Sequence, residues 1–150
     1  MTTIAYHRGY GMMAADRRSN EGNSKNGEAQ KIFKINGHLV GFAGRADTAA
    51  LLRYWFENGA KPEEWPDPYD DETDCSMIVV TPEGEVMYYE RFPVPIFMEN
   101  EFFALGSGRD YALAAMALGC TPERAVEVAC ELDLYSGNGV DTLCLDDKVN

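Results

Sequence analysis

Thr2-Thr3-Ile4-Ala5-Tyr6-His7-Arg8, then Gly9-Tyr10-Gly11, then Met12-Met13-Ala14-Ala15-Asp16 open the chain. β-branched and aromatic residues fill the first run, and a glycine-flanked tyrosine separates it from a second apolar run. The stretch therefore reads as a hairpin that begins almost at the first residue, with strands Thr2 to Arg8 and Met12 to Ala15.

Outward from this hairpin, Asp16 to Gly27 carries Asn20, Gly22, Asn23, Asn26 and Gly27 and reads as a long polar excursion before a strand at Lys31 to Ile35. Asn36-Gly37 is a two-residue hairpin signal leading into Leu39 to Ala43. Beyond Gly44, apolar residues at Ala46, Ala49, Ala50, Leu51, Tyr54 and Trp55 follow the helical period and should stop near Gly59. Pro62, Pro66 and Pro68 prevent Lys61 to Asp74 from continuing it. Ser76 to Thr81 and Glu85 to Tyr89 flank Pro82-Glu83-Gly84 as a second hairpin, and a proline-marked link, Pro93 to Pro95, precedes a strand at Glu101 to Leu105. After Gly106-Ser107-Gly108 an alanine-rich helix spans Asp110 to Leu118. Thr121-Pro122-Glu123 starts another helix, to about Leu134, and Val140 to Leu145 closes the sheet. This element order suits sheets stacked between helical layers.

Length and composition agree with one such domain. The 150 residues, 45% hydrophobic and 25% charged, can bury one sizeable core and contain no apolar run of membrane-spanning length. The residues after Met1 lack the features of a signal peptide, so a cytoplasmic location is expected. Cys75, Cys120, Cys130 and Cys144 show no paired spacing, and with only two histidines the expectation is buried free thiols. A net charge of -12 argues against nucleic acid and anionic membrane as partners. Much of it is local: Glu63, Glu64, Asp67, Asp70, Asp71, Glu72 and Asp74 read as a solvated loop or an acidic docking surface.

Five separated segments carry a resemblance that runs through most of the chain. They are Thr2-Thr3-Ile4, then Met13-Ala14-Ala15-Asp16-Arg17-Arg18, then Asn26 to Ile35 containing Lys31, then Phe42-Ala43-Gly44, and finally Gly106-Ser107-Gly108 with Leu132-Asp133-Leu134-Tyr135-Ser136-Gly137. Together, in this order, they resemble the proteasome β-subunit family of N-terminal-nucleophile hydrolases, including its bacterial relative of the HslV type. The resemblance implies an α+β, four-layer αββα sandwich. It also implies a threonine peptidase acting on peptides or unfolded proteins, a homo-oligomer, and no required cofactor.

By that resemblance Thr2 is the nucleophile once Met1 is removed. Its own α-amino group, of ordinary pKa about 7.7–8.0, accepts the hydroxyl proton directly or through water. Lys31 supplies a fixed positive charge beside the hydroxyl, and Asp16 holds the ammonium. Gly44 donates its amide to the oxyanion, while Ser107, Asp133 and Ser136 orient the nucleophile. Arg17 and Arg18 read as structural ion-pair partners. A structural monovalent or divalent cation on the backbone carbonyls of Cys130, Asp133 and Ser136 is a further implication.

Two departures stand out. Family members carry a second long helix after the first, where Gly59 to Cys75 shows no helical period, so half of one outer layer is expected to be missing. In the family that face stacks on a neighbouring ring or an unfolding ATPase; whether an ATPase docks here stays open. Tyr54, Trp55 and Trp65 then need another cover. Asn20 stands where the family usually has threonine. Two other functions remain open at this level: a catalytically inactive assembly or binding module, which would retain Met1, and an amidase acting on a small amide.

Overall fold

A computed structural model of the chain describes residues 1–21, 24–66 and 75–146. The opening hairpin is β1 (Thr3–His7) and β2 (Met12–Asp16). Its side chains alternate: Ile4, Tyr6, Met13 and Ala15 join one buried cluster, and Ala5 and Ala14 join another. A sheet with two apolar faces must be covered on both.

Four strands form that sheet, in the order β10 (Phe102–Gly106), β1, β2, β11 (Val140–Cys144). Its inner face packs on a second sheet, ordered β5 (Ile32–Ile35), β6 (His38–Gly44), β7 (Cys75–Val80), β8 (Val86–Tyr89) and β9 (Ile96–Met98). Ile32, Leu39, Ile78, Val80 and Val86 supply the facing side chains. Asn36 and Gly37, with φ of 50° and 79°, make the two-residue turn joining β5 to β6, a conformation that Asn-Gly adopts at little cost.

The outer faces carry the helices. After α1 (Ala46–Glu57) come α2 (Arg109–Ala117) and α3 (Pro122–Leu132), the last N-capped by the Thr121 hydroxyl, which accepts from the Arg124 N–H. Ala5, Ala14 and Ala104 meet Ala112, Ala115 and Ala125, so α2 and α3 lie close on the first sheet. On the far side Leu52 and Trp55 of α1 pack on Val40, Phe42, Met77 and Val79. Burial of Leu52 alone contributes about 1.5–3 kcal/mol. The result is the expected αββα sandwich.

Between α1 and β7 the described residues form one 3-10 turn, Pro62–Glu64, in place of a second helix. Trp55 and Trp65 are not left bare. Trp55 is 4% exposed, Trp65 stands edge-on to it at 4.7 Å, and Tyr89 stacks on Trp65 at 6.0 Å. The indole N–H of Trp55 donates to the Lys61 carbonyl and that of Trp65 to the Arg91 carbonyl, so both polar tips are satisfied. Tyr54 is 68% exposed.

Other expectations are corrected locally. The polar excursion contains a two-stranded ribbon, β3 (Arg18–Glu21) with β4 (Ser24–Glu28), formed by backbone pairing that needs no apolar alternation. The proline-marked link leads into β9, an edge strand, where proline is tolerated. All four cysteines are free, but only Cys75 is fully buried. Glu63 and Glu64 are exposed in the 3-10 turn; Asp67, Asp70, Asp71, Glu72 and Asp74 lie outside the described residues.

Candidate active site

The hairpin ends place Thr2 and Asp16 beside each other. Ile4 pairs with Ala15 across β1 and β2, so Thr3 lies opposite Asp16, whose Oδ1 accepts the Thr3 backbone N–H at 2.9 Å. The same oxygen accepts from Lys31 Nζ at 2.8 Å, while Oδ2 accepts the backbone N–H of Gly137 at 3.0 Å and of Arg18 at 3.3 Å. Asp16 has no exposed surface, and these four donors satisfy its buried carboxylate oxygens.

Lys31 immediately precedes β5, with a side chain 9% exposed. Its ammonium also donates to the Met1 carbonyl at 3.0 Å, the carbonyl of the peptide bond that joins Met1 to Thr2. Burial depresses the Lys31 ammonium below the ordinary 10.5, and the charge and hydrogen bond of Asp16 oppose that depression. The Met1 amino group is lowered likewise, first by burial and then by repulsion from Lys31.

A second group closes around Thr2 from the helix-pair side. β10 ends in Gly106-Ser107-Gly108, which passes directly over the Thr2 carbonyl. A Cβ on Gly106 would stand 1.9 Å from the Thr2 carbonyl oxygen, and one on Gly108 would stand 2.0 Å from Thr3 Oγ1, so only glycine fits at either place. Gly108 N–H and Ser107 Oγ each lie 3.4 Å from that carbonyl oxygen. Ser107 Oγ donates to Asp133 Oδ2 at 2.7 Å, and Ser136 Oγ donates to the same oxygen at 2.6 Å. Because Ser136 gives its proton to Asp133, the 2.7 Å contact between Thr3 Oγ1 and Ser136 Oγ has Thr3 as donor. Burial works to raise Asp133, but the bonds from Ser136, Ser107 and the Tyr135 backbone outweigh it and hold the carboxyl below its ordinary value.

Gly44, at the end of β6, and Thr2 line two adjoining clefts together with Met1 and Asn20. One, of about 420 Å³, is walled by Phe33, Phe42, Ala46, Ala49, Ala50 and Tyr54. The other, of about 530 Å³, holds Ser76, Tyr88, Ser107, Arg45 and Arg109. Thr2 itself is 3% exposed with Met1 in place.

The fold thus brings Thr2, Asp16, Lys31, Ser107, Asp133 and Ser136 into one hydrogen-bonded neighbourhood, with Gly44 across the clefts. Arg17 pairs with Asp141 and Glu28, whereas Arg18 spends its guanidinium on Asn20 Oδ1 and the Leu134 carbonyl and meets no carboxylate among the described residues. Asn20 Nδ2 in turn donates to the Tyr135 carbonyl. Sequence reading missed Thr3, Gly108 and Gly137 as parts of the frame. A threonine within an otherwise apolar buried strand was the available signal for Thr3.

Cys130 in the last turn of α3, Asp133 at its C-cap and Ser136 cluster at one helix end, where carbonyls lack intrahelical partners. Such oxygens suit a hard cation. Burial and then Asp16 push the Cys130 thiol up to about 11. Among the described residues no group of three or more His, Cys, Asp or Glu side chains could hold a metal.

Solved structures share this architecture over nearly the full chain. BPH of Thiobacillus denitrificans in complex with epoxomicin is similar at a TM-score of 0.72 and 19% identity, covering 97% of this chain and 100% of that one. HslV of Trypanosoma brucei gives 0.70 and 24%, covering 95% and 98%. A second Thiobacillus denitrificans BPH structure gives 0.64 and 19%, covering 97% and 98%. No protein-family model and no curated protein matches the sequence. The fold is the αββα sandwich of these structures, HslV among them.

Proposed function

We propose that the chain is an N-terminal threonine peptidase whose nucleophile is Thr2 after Met1 is removed. The observation that carries this reading is the buried Lys31–Asp16 pair, 2.8 Å long, whose ammonium rests 3.0 Å from the carbonyl of the Met1–Thr2 peptide bond. A buried ion pair adds little stability by itself, so its position against that one bond favours a chemical role.

Removal of Met1 turns the Thr2 nitrogen from a non-basic amide into an amine. The amine takes the Thr2 hydroxyl proton as Oγ attacks the substrate carbonyl, with Lys31 stabilising the developing alkoxide. Gly44 N–H donates to the oxyanion, a contribution of about 3–4 kcal/mol in comparable hydrolases. The amine then returns its proton to the leaving amine as the carbon–nitrogen bond breaks, leaving an ester on Thr2 that water hydrolyses. Ser107, Asp133 and Ser136 hold the terminus in place, and Asp133, ionised, favours the protonated amine between the two steps. A cation on the carbonyls of Cys130, Asp133 and Ser136 would rigidify the same loop. A homo-oligomer and a peptide or unfolded-protein substrate belong to this reading.

Intact-mass measurement with a peptide-hydrolysis assay tests it. Chain lacking Met1 should hydrolyse peptides, chain retaining it should not, and Thr2→Ala and Lys31→Ala should each lose activity while remaining folded. Full activity in either variant would overturn the assignment. An inactive chain that keeps Met1 in the presence of an active aminopeptidase would make the protein a binding module.

A further inference from the structure

Charge in this protein is distributed against its sum. The net charge is -12, yet of its 13 basic residues Arg18, Lys31 and Arg53 line the apolar cleft and Arg45 and Arg109 the other, while Glu57 is the acidic one among the described residues lining either. In a chain so acidic, a cation on the cleft wall that no carboxylate neutralises attracts anionic ligands there.

Most of these cations are already engaged. Asp16 holds Lys31, Glu57 holds Arg53 over the face of Phe33, Asp47 takes Arg45 by two bonds of 2.9 Å, and Arg18, though it meets no carboxylate among the described residues, is spent on Asn20 Oδ1 and the Leu134 carbonyl. Arg109 differs. It gives one N–H to the Gly106 carbonyl at 3.2 Å and, among the described residues, meets no carboxylate. The planar fork of a guanidinium in this position is suited to a carboxylate.

The site chemistry says which part of a substrate reaches it. A leaving amine departs on the side of the group that protonates it. In the peptidase reading Ser107 holds the Thr2 terminus; it lines only the larger cleft, lies 3.4 Å from the Thr2 carbonyl oxygen and is bonded to Asp133. The leaving half therefore enters the cleft that contains Arg109, and the acyl half enters the apolar one.

We propose that Arg109 selects substrates with a carboxylate on the leaving-group side of the scissile bond, either an acidic side chain or a free C-terminal carboxylate. This rests on the hydrolase reading above. Processed protein is assayed on matched peptides that differ only on the leaving side: Glu, Gln or Lys as side chain, each with a terminal acid or amide. The Glu peptide should exceed the Gln peptide in kcat/KM by about 10-fold at low salt, if the side chain is the source. Acid over amide by a similar factor makes the C-terminus the source. Arg109→Gln should abolish the preference and Arg109→Glu should turn it toward Lys, whereas Arg124→Gln, the same charge change outside the clefts, should preserve it. Equal rates for all peptides, or a preference unchanged in Arg109→Gln, overturn the inference. Fluorescence anisotropy of the same peptides on Thr2→Ala chain separates the two readings. Arg109-dependent tighter binding of the acidic peptide without any hydrolysis by the processed wild type keeps Arg109 as the carboxylate-binding residue and overturns the peptidase, and with it the leaving-side assignment.

Discussion

The two outer layers of the sandwich solve one problem in opposite ways. On the first sheet, α2 and α3 are seated by alanines on both sides of the contact, so the layer is close and has no room to spare. On the second sheet, α1 is the one α-helix among the described residues, and the area beside it is filled by the Trp55–Trp65–Tyr89 aromatic cluster hung from a short 3-10 turn. The close layer frames Thr2, through Gly106-Ser107-Gly108 and the Asp133–Gly137 loop. The second sheet supplies Lys31 and Gly44. Asp16 is the joint, since it holds Lys31 from one side and Gly137 from the other. A layer built of small residues should resist additions, and one built of large residues should resist deletions.

Breaking the joint should have the largest effect. Asp16→Ala strands Lys31 as a buried charge and frees the Thr3, Arg18 and Gly137 amides, so about 3–5 kcal/mol of stability should be lost along with all activity. Chemical denaturation with a peptide assay checks both. Next comes deletion on the tryptophan side: Trp65→Ala uncovers Trp55 and should cost about 2–3 kcal/mol, since Trp65 is half-buried. Addition on the alanine side is smaller. Ala125→Leu should cost about 1–3 kcal/mol by overpacking α3 against the sheet. The reverse order for these two, seen in denaturation midpoints, would undo the comparison.

Much of this was legible in the sequence because it is local or periodic. Asn36-Gly37 names its own turn, and the alternation of Ile4, Tyr6 and Met13 against Ala5 and Ala14 marks two buried faces. The ribbon β3–β4 was hidden because its strands are polar and its residues are turn formers; only their pairing with each other makes them strands. Trp65 as a stand-in for a helix was equally hidden, since a tryptophan among prolines and acids carries no period. At the site, Asp16 and Lys31 were visible through resemblance, but the Thr3–Ser136–Asp133–Ser107 chain joins residues as far as 133 positions apart and exists only in the fold.

The smallest expected effect concerns pH, and its sign separates the joint from the layers. Burial lowers Lys31 in the folded chain, so between that value and the ordinary 10.5 the unfolded chain binds more protons. In that window the lysine's contribution to stability rises with pH. Activity that needs the ammonium falls over the same window. An alkaline limb of kcat/KM below 10.5, in protein whose melting temperature is not falling for that reason, would locate Lys31 in the chemistry.

The most direct test of the central claim is mass spectrometry of the purified, Met1-free protein before and after a covalent threonine-directed probe such as a peptide β-lactone. The expected result is one adduct per chain, mapped to Thr2, absent from Thr2→Ala and from chain that retains Met1. Labelling of any other residue, or equal labelling of Met1-bearing chain, would contradict Thr2 as the nucleophile.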